Sequence, residues 1–398
     1  MIAELGGISA EPGRLIRLFL TPEHRRAADR VAAWMRDAGM ATSEDALGTV
    51  RGCWGNANKR LLVGSHIDTV LDAGKYDGPF GVIAGILAVE HFKRTGKTLP
   101  FGIDVLAFGD EEGSRFPSTL SSSAACAGMF DPSTLKFVDR DGTAFGEALR
   151  AYGKNPANIP AAAYSRESVL GYVELHIEQG PILEKEQQPL GVVTAIVGQS
   201  RLQIVVRGEA GHAGTVPMTM RRDALAGAAE LILAAERIAR DHADDRMVAT
   251  VGRIEALPGA TNIIPAVVKF TVDLRSSTDA VRCAAVQELQ TEAWRIVEAR
   301  GLVVEFDPFH EAQSTPCDPG FQKLLGSAIS DAGYKPIALA SGAGHDAQMM
   351  AKLCPSAMMF VRCGGGVSHN PAEFASEADM GVAIAALIRF IELLAARH

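Results

Sequence analysis

The rhythm of hydrophobic and polar positions changes twice along the chain, and the two changes outline its organisation. Leu15, Leu18, Val31, Trp34 and Met35 recur at helical spacing, which predicts a helix from about Arg14 to a Gly-Met stop at Gly39. Leu61-Leu62-Val63-Gly64 and Ile103–Phe108 are short apolar runs that read as buried strands, and each runs straight into polar, chemically capable residues. Between them Val82–Phe92 is helical, with Ile83, Ile86 and Leu87 on one side. Strands alternating with helices, with polar residues at the strand ends, predict an α/β sheet whose site lies along its carboxyl edge.

Near Val192 the pattern turns to alternation: Leu202, Ile204 and Val206 are interleaved with Gln203, Val205 and Arg207. An Ala/Leu-rich helix follows over Arg222–Arg240, then strands over Met247–Ile254 and Val267–Leu274, a helix over Val281–Ala299 and a last strand over Leu302–Phe306. This β-α-β-β-α-β order predicts a ferredoxin-like α+β unit. It is read as an insertion, with a first part of the α/β domain at 1–191, the inserted domain at 192–309 and the second part at 310–398. The irregular stretch 131–168, with Pro156, Pro160 and an Ala triplet, reads as a surface excursion. No internal repeat or low-complexity segment is seen.

Composition narrows this picture without changing it. At 398 residues the chain suits about two domains. With 47% hydrophobic and 22% charged residues it can bury a core without disulfides. A formal charge of −8 argues against nucleic acid or an anionic membrane as partner. The first residues carry no basic region ahead of an apolar stretch, and no run approaches the ~18 apolar residues of a membrane span. The six cysteines form no Cys-x-x-Cys pair, which suits reduced thiols in the cytoplasm.

The chemistry gathers at the strand ends. Gly109-Asp110-Glu111-Glu112-Gly113 sets adjacent acids after one apolar run, and His66 and Asp68 follow the other. Desolvated carboxylates cost several kcal/mol each unless paired or bound to metal, so a cation is expected among them. His66 is a candidate imidazole ligand, with Asp68 placed to orient it through the other ring nitrogen. Glu111 and Glu112 allow one acid to ligate while the other stays free as a base; a solvated acidic loop is the weaker alternative. Asp77, in Lys75-Tyr76-Asp77-Gly78-Pro79, is either a helix N-cap or a carboxylate bridging two metals. In Glu174-Leu175-His176-Ile177-Glu178, alternation sends Glu174, His176 and Glu178 to one side. Gly364-Gly365-Gly366-Val367-Ser368-His369 is a glycine loop carrying one histidine. Two metals ~3.5–4 Å apart can activate a water between them. Mixed imidazole and carboxylate ligands suit zinc or manganese first, with cobalt or nickel as alternatives.

The whole set resembles the M20 metallopeptidase/amidohydrolase superfamily, in particular its hydantoinase/carbamoylase branch of N-carbamoyl-L-amino-acid hydrolases, β-ureidopropionases and allantoate amidohydrolases. The likeness spans nearly the whole chain. His176, where the peptidases usually have a carboxylate, marks the amidohydrolase branch. The resemblance implies a di-metal catalytic α/β domain with an inserted lid and dimerisation domain. It implies that His66 and His176 bind one metal, Glu112 and His369 the other, and that Asp77 bridges them. Glu111 would be the base, with Asp68 beside it. His212, in Gly211-His212-Ala213-Gly214, resembles the histidine that reaches a neighbouring site across a homodimer and stabilises the oxyanion.

For substrate, the resemblance assigns Gln179, Asn262, Arg275 and the Gly344 backbone, with Gln199 as a weaker candidate. Arg275 would clamp a carboxylate. A salt bridge to Asp273 is disfavoured on this reading, because residues two apart on a strand are ~7 Å apart along it. His345 and Asp346 are taken to stand behind the ligands. The implied reaction is hydrolysis of a ureido C–N bond in a small carboxylate substrate, with allantoate first. An N-carbamoyl-L-amino acid is the runner-up, and an aminoacylase or dipeptidase activity stands behind both. A non-catalytic ligand-binding module is the reading from another class.

Overall fold

The computed structural model describes residues 1–398. The chain divides into two compact units, Met1–Thr194 with Cys317–His398, and Ala195–Pro316.

In the first unit a mixed sheet has a parallel centre. Arg60–His66 lies between Gly102–Phe108 and Val169–Ile177, parallel to both, and Ser356–Val361 continues parallel to Val169–Ile177. Antiparallel strands Val50–Trp54 and Ala41–Glu44 extend one side, and Leu190–Ile196 the other. The central strands are buried on both faces, as parallel strands covered by helices must be. The four parallel strands point the same way, so the residues following them share one edge.

The helix expected from Arg14 begins instead at Pro22 and runs to Asp37. Thr21 caps it through His24 N–H and Pro22 occupies the first turn, the strongest local start signal in the region. Residues 15–21 before it form no helix or strand and are tied down by a buried arginine: Arg17 N–H donates to Thr69 Oγ1 and its guanidinium to the Ile67 and Leu5 carbonyls. The stretch 131–168 is not a free excursion. Its helix Phe145–Ala151 buries Phe145 and Leu149 with Phe19, Phe116 and Ile159, and Phe116 stacks on Phe145 at 4.9 Å.

The second unit is an antiparallel sheet in the spatial order Ile254–Leu257, Val267–Ser276, Gly198–Arg207, Val303–Ala312. Counted along the chain this is the order 2-3-1-4 of a ferredoxin-like unit. Helices Ala224–Asp241 and Asp279–Arg300 bury Leu231, Ile238, Leu289 and Ile296 against Ile204, Phe270 and Val272. The strand expected over Met247–Ile254 is two short ones, Val248–Thr250 and Ile254–Leu257, separated by a segment containing Gly252. The last strand runs on to Ala312, six residues beyond the expected end, and the unit closes at Pro316 rather than 309. No helix is long and apolar enough to cross a membrane.

Candidate metal centre

Each parallel strand delivers one part of the cluster. Arg60–His66 ends in His66, Val169–Ile177 carries His176 one residue from its end, and Gly102–Phe108 leads into Glu111 and Glu112. Ser356–Val361 leads into the glycine loop that carries His369. Asp77 comes from the turn before the helix Pro79–Thr95, which closes tightly because Gly78 has φ +81° and a Cβ there would lie 2.5 Å from the His66 ring. Gly78, not Asp77, is the N-cap, so the capping alternative for Asp77 is set aside.

These residues converge. His176 Nε2 is 2.9 Å from Asp77 Oδ1, and His66 Nε2 is 3.5 Å from the same oxygen. His369 Nε2 stands 3.5 Å from Asp77 Oδ2 and 3.4 Å from Glu112 Oε2. Three donor sets lie within 4.8 Å: His66–Asp77–His176, His66–Glu111–Glu112 and Asp77–Glu112–His369. The second of these contains Glu111, which the sequence reading kept apart as a base; its Oε2 is 3.9 Å from His66 Nε2.

The donors fit a metal. His66 Nδ1 faces the Asp68 carboxylate at 3.3 Å and His176 Nδ1 donates to the Ile177 carbonyl at 2.9 Å. Those bonds fix both rings with Nε2 turned inward, and both Nε2 atoms are buried without a hydrogen-bond partner. Two imidazole lone pairs aimed at one carboxylate oxygen repel unless a proton or cation lies between them.

The electrostatics have the same origin. Burial would depress the His66 imidazolium, but Glu111, Asp68 and Asp77 outweigh it and hold its pKa well above the usual range. Burial would raise Asp77, but His176 and His66 pull it well below. Burial pushes Glu112 up to about 8, with Asp77 and Asp68 adding to the rise against His66. Burial likewise raises Glu111, which Glu112, Asp346 and Asp77 reinforce. Negative charge exceeds positive within a few ångströms, the condition a divalent cation relieves.

Asp68 has a second contact that the sequence did not suggest. Its two oxygens accept the Glu111 and Glu112 backbone N–H groups at 3.2 Å each, so one carboxylate fixes both His66 and the acid pair. Asp110 takes a different place, accepting the Ser121 and Ser122 N–H groups at 3.0 and 2.9 Å at the start of a short helix. Glu174 accepts from Ser65, Tyr172 and Ala347, and Glu178 from the Ile182 and Leu183 N–H groups, so neither joins the cluster. His345 packs edge-on against His176 at 4.4 Å between ring centres and bonds Ser341, while Asp346 is fully buried behind it.

Among the residues assigned to substrate, Gln179 lies at the cluster, donating to Asp77 Oδ2 at 2.7 Å. Gly344 is exposed in the loop before His345. The other four belong to the second unit. His212 and Asn262 are exposed neighbours on a two-stranded ribbon, where Ala213 N–H donates to the Asn262 carbonyl. Gln199 and Arg275 are paired across adjacent strands, and both bind Asp273: Gln199 Nε2 at 2.6 Å, Arg275 Nε at 3.1 Å and its terminal nitrogen at 3.0 Å. The Arg275–Asp273 pair disfavoured on spacing therefore forms. Residues two apart share a face, and the arginine side chain is long enough to fold back over the ~7 Å between them.

Imidazoles and carboxylates that converge at the carboxyl edge of a parallel sheet, buried at His66, Asp77 and His176 and open to solvent at His369, form the donor set of a metallohydrolase. The chain belongs to peptidase family M20/M25/M40, whose model matches residues 62–393. It is 42% identical to an allantoate deiminase of Arabidopsis thaliana over 98% of this chain and 80% of that protein. It is 38% identical to an N-carbamoyl-L-amino acid amidohydrolase of Geobacillus stearothermophilus over 99% of this chain and 97% of that one. Among solved structures, a hydantoinase/carbamoylase family amidase from Burkholderia ambifaria superposes with a TM-score of 0.91 at 35% identity, over 99% of this chain and 96% of that one.

Proposed function

We propose that this protein is a metal-dependent amidohydrolase that cleaves a ureido C–N bond, and that its substrate is allantoate. The convergence of His66, His176 and Asp77, with Glu111 and Glu112 fixed beside them by Asp68, is the observation that carries the hydrolase reading. The 42% identity to an allantoate deiminase supports the substrate.

In this reading His66, His176 and Asp77 hold one divalent cation, and Asp77, Glu112 and His369 a second, zinc or manganese. When bound, the cations supply Lewis acidity that makes a water nucleophilic near neutral pH. Glu111 takes the proton from that water as its oxygen adds to the ureido carbonyl carbon. When the C–N bond breaks, Glu111 returns the proton to the departing nitrogen. The carbamic acid left behind falls to ammonia and carbon dioxide, so one water and one allantoate give ureidoglycine, ammonia and carbon dioxide.

Arg275 receives the substrate carboxylate, with Asn262, Gln179 and the Gly344 backbone as further contacts and Gln199 as a weaker one. His212 serves the tetrahedral oxyanion of a neighbouring subunit in a homodimer formed through the inserted domain. Donors of that kind are worth roughly 2.7–4 kcal/mol. A cytoplasmic setting completes the reading.

The 38% identity to an N-carbamoyl-L-amino acid amidohydrolase favours a second substrate class on the same site. Ammonia release from allantoate, several N-carbamoyl-L-amino acids and an N-acetylated amino acid, each with Mn²⁺ or Zn²⁺, separates the two. Allantoate is expected to give the highest kcat/KM. A metal-loaded protein inert on every ureido acid would overturn the proposal.

A further inference from the structure

The carboxylate at the centre of the cluster is positioned from a distant part of the chain. Glu373 is 4% exposed, and its Oε1 accepts the backbone N–H groups of Tyr76 at 2.8 Å and Asp77 at 3.1 Å. Its Oε2 lies 3.2 Å from Ser368 Oγ, which stands 2.7 Å from Asp77 Oδ2. Gln179 completes the network from a third loop, with Nε2 on Asp77 Oδ2 at 2.7 Å and on Ser368 Oγ at 3.3 Å. The turn around Asp77 is shaped to admit this acid. A Cβ at Gly74 would lie 2.3 Å from Glu373 Cβ, Cδ and Oε1, a distance no side chain tolerates.

Two features make more of this than local packing. Glu373 sits four residues after His369, and it anchors the turn that presents Asp77. It thus ties together the two loops whose side chains face each other at 3.5 Å, Asp77 Oδ2 and His369 Nε2. Its contacts to residues 76 and 77 are to backbone N–H groups, which fix the path of the turn, whereas Ser368 and Gln179 fix the rotation of the Asp77 carboxylate.

We propose that Glu373 is a positioning residue for metal binding. By holding the Asp77 backbone against the His369 loop, with Ser368 as relay, it sets the separation of the donors Asp77, Glu112 and His369. This rests on the metal centre of the proposed function, but not on the substrate or the reaction.

The test reads metal binding directly. Apo protein is titrated with Zn²⁺ and with Mn²⁺ against a chromophoric chelator, with bound metal counted by elemental analysis and apo thermal melts confirming the fold. Partners behind metal ligands typically contribute 10–100-fold in affinity. Glu373→Ala should therefore weaken the weaker of the two binding steps by about 10–100-fold. Gly74→Ala should do the same while leaving every acid in place. Glu373→Gln keeps an oxygen for the two N–H groups and should stay within about threefold of wild type. Folded Glu373→Ala and Gly74→Ala proteins that bind both metals within twofold of wild type would overturn the proposal. So would a Glu373→Gln loss as large as that of alanine, which would assign the effect to charge instead of position. If all variants behave as expected while no ureido acid is hydrolysed, only the proposed reaction fails.

Discussion

Replacing Glu111 by glutamine tests the division of labour within the acid pair. The substitution keeps the size and shape of the side chain and removes its capacity to carry a proton. Its backbone should not move, because Glu111 N–H and Glu112 N–H are each held by Asp68 at 3.2 Å. A positioned general base contributes about 10²–10⁴-fold, equivalent to about 2.7–5.5 kcal/mol of barrier. Turnover of Glu111→Gln should fall by that factor, with KM little changed and two metals still bound. Glu112→Gln should instead lose the more weakly held metal, because Glu112 Oε2 is the oxygen 3.4 Å from His369 Nε2. The assay pairs ammonia release under saturating metal with elemental analysis after gel filtration. Glu111 is also among the donors grouped around His66, so the opposite result has a structural basis. Metal loss in Glu111→Gln with retention in Glu112→Gln would refute the assignment and exchange the two roles.

Three further outcomes are expected. Arg275→Ala should raise KM for carboxylate substrates about 10–100-fold, the worth of charge-assisted hydrogen bonds of ~1.5–3 kcal/mol, without unfolding the unit, since Asp273 keeps Gln199 and Arg201; unchanged steady-state kinetics would remove the clamp. If His212 acts across a symmetric dimer, reassorting inactive His212→Ala with inactive Glu111→Gln subunits should restore about a quarter of wild-type sites, and no recovery after verified exchange would place His212 in its own subunit's site. His24, held neutral by burial with Arg17, Arg25 and Arg115 adding to the effect, has its pKa lowered to about 3. The unfolded chain takes up that proton first, so stability is full above about pH 6.5 and falls towards pH 3, by about 2 kcal/mol at pH 5. Denaturant melts should show the wild-type advantage over His24→Gln shrinking by that amount between pH 7 and pH 5, and a difference independent of pH would refute it.

What the sequence discloses depends on whether the deciding contact is local. Apolar runs that stop at His66 and before Glu111 mark strand ends and a site edge, and both lie where that pattern puts them. Neighbouring residues alone do not decide the role of Asp77, because the groups that claim its carboxylate, Gln179 and Ser368, lie 102 and 291 residues away. Glu373 gave no signal for the same reason: its partners are 296 and 297 positions back along the chain. The Arg275–Asp273 pair differs from expectation on a local matter: spacing along the strand separates the two residues, and the reach of the arginine side chain closes the gap. Before Pro22, apolar residues recur at helical spacing ahead of the Thr21-Pro22 start signal, but Leu15 and Leu18 flank a buried arginine on an irregular segment.

Three consecutive acids also show how far identical chemistry is from identical function. Asp110, Glu111 and Glu112 follow one strand, yet the partners that surround them differ in kind. Asp110 meets two N–H groups at the start of a helix and is satisfied by them. Glu111 and Glu112 have their own N–H groups occupied by Asp68, which leaves both carboxylates turned toward imidazoles. Asp68 thus presents two of the three acids to a cation, while Asp110 is held apart by the Ser121 and Ser122 N–H groups. His66 depends on the same carboxylate for its orientation. Ligand geometry and acid-pair geometry therefore cannot vary independently, and a change at Asp68 must be read in metal affinity and in turnover together.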